Sequence, residues 1–169
     1  MPNLEMKHCV QCGTALKMKF LEGEGMVPYC ENCRDYRFPI FNTAVSMIVT
    51  PPDRSRILLI KQYGRDRYIL VAGYVNKGED AEDAAAREVR EEAGLTVRSL
   101  HFNHSRYFGR TNTLMLNFTA VVESTDVRPN REIDSFRWFS PQEARENVSR
   151  PSLAGDFLDG YLTGEYHFH

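Results

Sequence analysis

Apolar positions along the chain predict strands through its central part. Runs rich in β-branched and aliphatic residues at 41–49 and 56–63 flank the turn sequence Pro-Pro-Asp-Arg-Ser, so each is a predicted strand. A shorter apolar run at 67–73 predicts a third strand, and two more are predicted at 97–110 and 113–122 around a polar connection. The strands occur in the same stretch of chain as predicted helices, which is compatible with helices packed on a sheet.

A helix is predicted over 80–93, because this stretch has no Gly or Pro and is rich in alanine. Its apolar residues recur at three- and four-residue spacing and predict one buried face: Ala85, Ala86, Val89 and Ala93. Gly94 is a plausible helix stop. An aromatic strand is predicted at the end of 129–140, and helices at 141–148 and 152–162.

Three glutamates on the first helix are the strongest candidate chemistry. Glu88, Glu91 and Glu92 are three and four residues apart, so they project from neighbouring positions on the helix surface. Converging carboxylates repel one another unless a cation lies among them, and all-oxygen ligation suits Mg²⁺ or Mn²⁺. The alternative is a solvated acidic face on which Arg87 pairs with Asp83 and Glu91.

The cysteines predict a second metal site near the start of the chain. All four fall in two C-x₂-C pairs separated by 17 residues: Cys9, Cys12, Cys30 and Cys33. This spacing is typical of a tetrahedral Zn²⁺ site, whose binding energy replaces a core too small to fold alone. Four cysteines complete the shell, so the zinc is predicted to be structural. The alternative is two disulfides in a secreted protein.

The length and charge of the chain limit its domain organisation and the kinds of partner it can have. At 169 residues we expect one main domain and a small appendage, predicted at 39–169 and 1–38. The formal net charge of −2 gives no general electrostatic footprint for nucleic acid. No apolar run approaches the roughly 18 residues of a membrane span, and no signal-peptide pattern opens the chain. We therefore expect a cytoplasmic protein with no membrane partner.

Residues 73–95 carry a set of fixed positions with the spacing G-x₅-E-x₇-R-E-U-x-E-E-x-G-U, where U is a bulky apolar residue. The positions are Gly73, Glu79, Arg87, Glu88, Glu91, Glu92 and Gly94. This spacing resembles the signature of the Nudix hydrolases. The resemblance implies an α+β fold, namely an α/β/α sandwich with a mixed β-sheet, preceded here by a small zinc ribbon. It also implies a small-molecule nucleotide substrate and a catalytic Mg²⁺ or Mn²⁺.

Further roles follow from the same resemblance. Glu79 and Arg87 are expected to pair and brace the loop against the helix, while Ala72 is expected to lend its backbone carbonyl to the metal. Tyr74 matches an aromatic residue that stacks on the base, with plain packing as the alternative. Independently of the resemblance, Gly73 and Gly78 are expected to bracket a flexible turn, because glycine reaches backbone angles closed to other residues.

A four-cysteine ribbon directly ahead of this signature resembles the NADH pyrophosphatase branch of the family. Members follow the fourth cysteine with a tract ending Tyr-Tyr-Pro-Arg, and Phe38 with Pro39 preserves the aromatic–proline pair here. The resemblance makes Phe38 a candidate nucleotide contact, with a hinge that packs the ribbon onto the main domain as the alternative. It also suggests a homodimer.

Residues 105–113 depart from that branch where substrate choice is expected to be determined. NADH pyrophosphatases carry S-Q-P-W-P-F-P-x-S ahead of Leu-Met, and alignment on Leu114 and Met115 leaves none of the three prolines. Partial matches remain at Ser105, Phe108 and Thr113. Arg106 and Arg110 add cations that could meet a phosphate or could be ordinary surface charges.

Two positions near the end of the chain complete the resemblance. Glu132 stands a few residues ahead of Arg-Trp-Phe, where a glutamate of the branch completes a metal site; the alternative is an ordinary loop carboxylate. Ser-Leu-Ala at 152–154 resembles the Ser-Ile-Ala start of a final helix, whose alanine backbone meets the substrate. Ala154 is the candidate for that contact.

These resemblances imply a metal-dependent hydrolase of the pyrophosphate bond in nucleoside diphosphate derivatives. NADH- or NAD-like dinucleotides are favoured, with AMP and nicotinamide mononucleotide as products and Glu91 or Glu92 as the general base. An ADP-ribose or nucleotide-sugar pyrophosphatase is the alternative that the missing prolines favour. A catalytically silent nucleotide- or RNA-binding regulatory module is an alternative of another class, and NAD-capped RNA stays open as a partner.

Overall fold

The computed structural model describes residues 6–166 and forms two compact units. The first unit comprises residues 6–42 and 109–113, and the second comprises 43–108 and 114–166. None of the helices in residues 6–166 has the length and apolarity that crossing a bilayer demands.

The first unit is built on a small antiparallel sheet. Its strands are β1 (Lys17–Leu21), β2 (Gly25–Cys30) and β3 (Asp35–Tyr36), in the order β1-β2-β3. An isolated antiparallel bridge between His8 and Ala15 closes the turn that carries the first cysteine pair. The first pair of cysteines therefore lies in the turn that this bridge closes, and the second pair lies at the turn between β2 and β3.

The second unit contains most of the remaining strands and all the helices of the described residues. In chain order these are β4 (Asn42–Thr50), β5 (Ile57–Gln62), β6 (Val71–Tyr74), α1 (Ala81–Ala93), β7 (Val97–Phe108), β8 (Thr113–Val122), β9 (Ile133–Phe139), α2 (Pro141–Asn147) and α3 (Leu153–Leu162). One sheet has the order β6-β4-β8-β7, and a second pairs β5 with β9. The predicted strands and helices are thus present, with bounds that differ from the predictions by a few residues.

Alternation along the strands sends side chains into two cores on opposite faces. On β5, Leu58 and Ile60 pack in a cluster with the apolar face of α1, whereas Ile57 and Leu59 pack in a cluster with α2 and α3. This is the period-two pattern of a strand buried on both sides. Helices therefore cover both faces of the strands, which confirms the predicted α/β/α sandwich.

Local sequence sets the ends of the helices. α1 ends where Gly94 takes a φ of +67°, a left-handed conformation that glycine adopts without steric cost. α2 begins with a capping box in which Ser140 and Glu143 satisfy each other's backbone N–H groups. The Ser152 hydroxyl accepts a hydrogen bond from the N–H of Gly155 at the start of α3. These signals fix where each helix presents its side chains.

Candidate active site

α1 presents its glutamates on one side because its small apolar residues are buried on the other. The buried apolar residues of the helix are Ala84, Ala85, Val89 and Ala93. Burial increases across the glutamates: Glu91 is exposed, Glu88 is half-buried and Glu92 is buried. The three carboxylates thus span the boundary between the helix surface and the core.

Glu92 is a buried carboxylate with one oxygen left without a partner. Its residue is only 5% exposed, and its Oε1 accepts a hydrogen bond from Nε2 of Gln62 at 2.9 Å. Oε2 is buried and has no hydrogen-bond partner. Burial is the main cause that raises the pKa of Glu92 to about 7; the Gln62 hydrogen bond opposes it, and the charges of Glu88, Glu132 and Glu91 add to it.

Gly73 provides the space in which the carboxylate of Glu88 lies. A Cβ at this position would stand 2.0 Å from Cδ of Glu88 and 2.1 Å from its Oε1, so a larger residue would displace the carboxylate. Gly73 belongs to β6 and is not among the glycines with positive φ, whereas Gly78 has a φ of +83°. The loop expected between the two glycines is present, with the positive φ at Gly78, whereas Gly73 supplies clearance for Glu88 at the end of a strand.

Arg87 joins α1 to the loop that precedes it. Its Nε and Nη2 donate to the two carboxylate oxygens of Glu79 at 2.6 and 3.0 Å, and Nη2 also donates to the carbonyl of Tyr74 at 3.0 Å. Nη1 contacts Glu88 at 2.7 Å and Glu91 at 3.1 Å. The Arg87 guanidinium lowers the pKa of Glu79 to about 2. The Arg87 side chain thus fixes the loop and offsets part of the negative charge of Glu88 and Glu91.

Glu132 lies just before β9, on a loop attached to the end of α1. The N–H of Asn130 donates to the backbone carbonyl of Glu92 at 2.9 Å, and Oδ1 of Asn130 accepts from the N–H of Glu132 at 2.9 Å. Oε2 of Glu132 accepts a hydrogen bond from the hydroxyl of Tyr63 at 2.8 Å. Its negative charge adds to burial in raising the pKa of Glu92.

Gln62 and Tyr63 are site residues that the sequence reasoning missed. Gln62 follows Leu58 and Ile60 at two-residue intervals on β5, and a polar residue at the end of that buried face was a usable signal. Tyr63 offered no such signal, because its contact joins residues 69 positions apart in the chain.

The other predicted site residues of the second unit lie on β6, on β7 and at the start of α3. Tyr74 is exposed, and Nη1 of Arg106 lies 3.8 Å from Oδ2 of Asp156. The half-buried candidates are Ser105 and Phe108 on β7, Ala72 on β6 and Ala154 at the start of α3. Their roles stay predictions.

Three predicted substrate contacts belong to the first unit, whereas the glutamates belong to the second. Phe38 and Arg110 are exposed there. Thr113 is buried, and its hydroxyl donates to the carbonyl of Thr111 at 3.1 Å. The Thr113 hydroxyl is therefore already engaged within its own turn.

The four cysteines are arranged to bind a metal. Their sulfurs all lie within 4.8 Å of one another, with Cys9 and Cys33 3.9 Å apart and Cys12 and Cys30 3.5 Å apart. Zn–S bonds of about 2.3 Å place tetrahedral sulfurs roughly 3.8 Å apart, whereas a disulfide requires about 2.05 Å. The thiols are free, so the disulfide alternative is wrong. Within residues 6–166 no other His, Cys, Asp or Glu group is gathered this closely.

The family assignment comes from residues 41–157, which match the NUDIX domain. The chain belongs to the Nudix family. It is 29% identical over 157 residues to the NAD-capped RNA hydrolase NudC of Pseudomonas aeruginosa, covering 92% of this chain and 55% of that protein. The corresponding protein of Vibrio parahaemolyticus is 28% identical over 142 residues, covering 82% of this chain and 52% of that protein. The chain thus spans about half the length of the curated relatives it matches.

Solved structures agree with the assignment. A NUDIX hydrolase from Nitrosomonas europaea is 25% identical with a TM-score of 0.68, and the match covers 97% of each chain. An Ap4A hydrolase from C. elegans has a TM-score of 0.61 at 20% identity, covering 75% of this chain and 99% of that one, and this likeness shows the fold alone.

Nudix hydrolases use divalent metals, and the glutamates of this chain fit such an ion. Oε2 of Glu92 is a buried oxygen without a partner, which is the feature that a cation would satisfy. Gly73 provides the space that the Glu88 carboxylate occupies. The donors are carboxylate oxygens, which suit hard divalent cations and not the thiolate-preferring ones.

We expect Cys30→Ser to abolish metal binding in the first unit. Cys30 is fully buried at the end of β2, and loss of one thiolate opens the tetrahedral shell on which this small sheet depends. Metal content measured by mass spectrometry of the purified protein should fall well below that of the wild type. Lys17→Ala is the control, because its exposed ion pair with Glu31 contributes at most about 1 kcal/mol. Retention of the metal by Cys30→Ser would contradict the site.

We expect Gly73→Ala to destabilise the protein through Glu88 alone. The added methyl group overlaps the Glu88 carboxylate, and such overpacking typically costs about 1–3 kcal/mol. In a Glu88→Ala background the same change should cost close to nothing. Urea unfolding of the four proteins gives the coupling energy. Equal costs in both backgrounds would show that Gly73 serves another purpose.

We expect the metal-free protein to lose stability as pH rises from about 4.5 to about 7, because the folded state keeps the proton on Glu92 while the unfolded state releases it near 4.5. The loss from this group is at most roughly 3 kcal/mol. In buffer free of Mg²⁺ and Mn²⁺, the thermal unfolding temperature should fall as pH rises over this range. Glu92→Gln should remove this slope of unfolding temperature against pH. Glu91→Gln, one residue away and exposed, should leave the slope in place. Identical slopes in the wild type and Glu92→Gln would refute the assignment.

Proposed function

We propose that the chain is a metal-dependent hydrolase of the pyrophosphate bond in nucleoside diphosphate derivatives, with NADH- and NAD⁺-like dinucleotides as favoured substrates. The products are AMP and nicotinamide mononucleotide. The observation that carries the proposal is the buried Oε2 of Glu92, which has no hydrogen-bond partner. The negative charges of Glu88, Glu132 and Glu91 add to the cost of ionising this group. A domain that only bound a nucleotide would gain nothing from this costly arrangement.

The residues that would hold Mg²⁺ or Mn²⁺ are Glu88, Glu91, Glu92 and Glu132, with the backbone carbonyl of Ala72. When bound, the ion supplies positive charge against the diphosphate and lowers the pKa of water. Zn²⁺ is the proposed occupant of the four-cysteine site, where it has a structural role because the cysteines complete its coordination.

The reaction replaces one P–O bond by another. The oxygen of water bonds to one phosphorus, the bridging P–O bond breaks, and the departing phosphate takes the electron pair. A carboxylate accepts the proton of the water, and the candidates are Glu91 and Glu92. Glu92 has a pKa of about 7 in the metal-free chain, which lies close to an operating pH near neutrality. Arg87 keeps the helix and loop in register during these steps through its contacts with Glu79 and Tyr74.

Several features bear on the choice of substrate. The relatives named as NAD-capped RNA hydrolases favour a dinucleotide, either free or at the end of an RNA. The missing prolines of 105–113 favour the second candidate, an ADP-ribose or nucleotide-sugar pyrophosphatase. Phe38, Tyr74, Ser105, Arg106, Phe108, Arg110, Thr113 and Ala154 are the proposed substrate contacts. A homodimer and a cytoplasmic location are part of the proposal.

Product analysis by mass spectrometry tests the function. With Mg²⁺ or Mn²⁺ present, NADH, NAD⁺ and ADP-ribose are offered in competition to the wild type, Glu92→Gln and Glu91→Gln. We expect AMP and reduced nicotinamide mononucleotide from the wild type. Loss of the general base typically lowers the rate by about 10²–10⁴-fold. The base must be deprotonated to act, so the variant that also loses the acidic limb of the pH–rate profile identifies it.

Each other result decides between the alternatives. Ribose phosphate formed preferentially from ADP-ribose would favour the second candidate function. Unchanged turnover in Glu92→Gln would refute the proposed site. No cleavage of any substrate by wild-type protein with bound Mn²⁺ would favour the catalytically silent nucleotide- or RNA-binding module.

A further inference from the structure

The end of β5 reaches directly into the glutamate site. Gln62 is the last residue of β5 and is buried on the face that Leu58 and Ile60 turn toward α1. Its Nε2 donates to Oε1 of Glu92 at 2.9 Å and leaves Oε2 unpaired. The amide therefore fixes the rotation of the Glu92 carboxyl group and decides which oxygen is available to a ligand.

The next residue holds a second carboxylate of the site. The hydroxyl of Tyr63 donates to Oε2 of Glu132 at 2.8 Å. Tyr63 has a φ of +56° and Gly64 a φ of +66°, and the carbonyl of Gln62 accepts from the N–H of Arg65 at 3.1 Å. Two central residues at positive φ are typical of a tight hairpin turn, but an aromatic residue rarely adopts that conformation. Surrounding contacts must therefore hold it.

Those contacts come from a bulge on the neighbouring strand β9. Lys61 pairs with Ser135 and Gln62 with Ile133, so the register passes over Asp134. Oδ2 of Asp134 accepts a hydrogen bond from the N–H of Gly64 at 2.6 Å. Bulges bend a strand locally and re-aim its side chains, and they recur next to active sites. Here the bulge fastens the turn beside the segment that carries Glu132.

We infer that Gln62 and Tyr63 form a two-residue clamp that positions Glu92 and Glu132 for a divalent cation and the diphosphate it accompanies. This inference rests on the proposed function. Both donors are neutral, so they orient the carboxylates without cancelling the negative charge that the cation needs. A charged donor such as Arg87 orients Glu88 but also neutralises it in part.

The clamp also explains why the donors are adjacent in sequence. Asn130 ties the backbone of Glu132 to that of Glu92, but these backbone contacts do not orient the two side chains, whose charges repel each other. Two donors on consecutive residues of one tight turn provide a common reference for both. Partners of metal ligands typically change metal affinity or activity by about 10–100-fold when removed.

The decisive measurement is the affinity for Mn²⁺ in the absence of nucleotide, determined by calorimetry. It is made on Tyr63→Phe and Gln62→Leu after the four-cysteine site has been filled with Zn²⁺. Each variant removes a donor but keeps a side chain of similar size. We expect about 10–100-fold weaker Mn²⁺ binding in each variant, together with a lower kcat and a KM for the nucleotide within about twofold. Tyr63→Phe in a Glu132→Gln background should weaken binding no further, because its effect passes through Glu132.

Matched controls exist in both units. Gln142→Leu removes the hydrogen bond from Gln142 to Glu146 on α2, and Tyr36→Phe removes the hydrogen bond from Tyr36 to the carbonyl of Phe20. Both should bind Mn²⁺ as the wild type does. Wild-type Mn²⁺ affinity and kcat in the two clamp variants, beside an active wild type, would overturn the clamp alone. Weakened Mn²⁺ binding beside a wild type that cleaves no nucleotide would support the clamp and overturn the proposed function.

Discussion

Repulsion among the glutamate carboxylates is the constraint that the second unit accommodates. Arg87 offsets part of it by contacting Glu88 and Glu91, and the Gln62 amide satisfies one oxygen of Glu92. The remaining oxygen of Glu92 stays buried and unpaired, which raises the pKa of that group. Because the fold leaves this unpaired oxygen at one point, a cation that bound there would stabilise the folded state, so cation binding and stability would be linked.

The regular elements could be predicted because local patterns determine them. The alanine-rich stretch predicted α1 almost at its observed bounds, and with it the position of Glu88, Glu91 and Glu92 on one helix. The contacts that orient these groups could not be predicted, since they join distant positions. Tyr63 reaches Glu132 through a left-handed turn that an aromatic residue disfavours, and Gly73 is needed for clearance beside Glu88, which only the fold creates.

In the first unit, by contrast, the main feature could be predicted from sequence spacing because little of the unit is a packed apolar core. Among its described residues, the buried apolar side chains are Cys9, Val27 and Cys30, while Met18 and Phe20 on β1 are exposed. So small a core cannot offset the entropy of ordering the chain. The cysteine spacing was enough to predict the cluster, because the cysteines themselves are most of what this small sheet buries.

Three features that are unfavourable for the local backbone or side chain lie on the segments that carry or contact Glu92 and Glu132. Tyr63 has positive φ, Asp134 is passed over in the β5–β9 ladder, and Glu92 is buried with an unpaired oxygen. Each is unfavourable alone, and each is tied to another: Gly64 bonds to Asp134, and Gln62 and Tyr63 bond to Glu92 and Glu132. A fold keeps such coupled departures when surrounding structure compensates for them and function requires the geometry. The helices and strands around them follow local rules closely, and that regularity supplies the compensation.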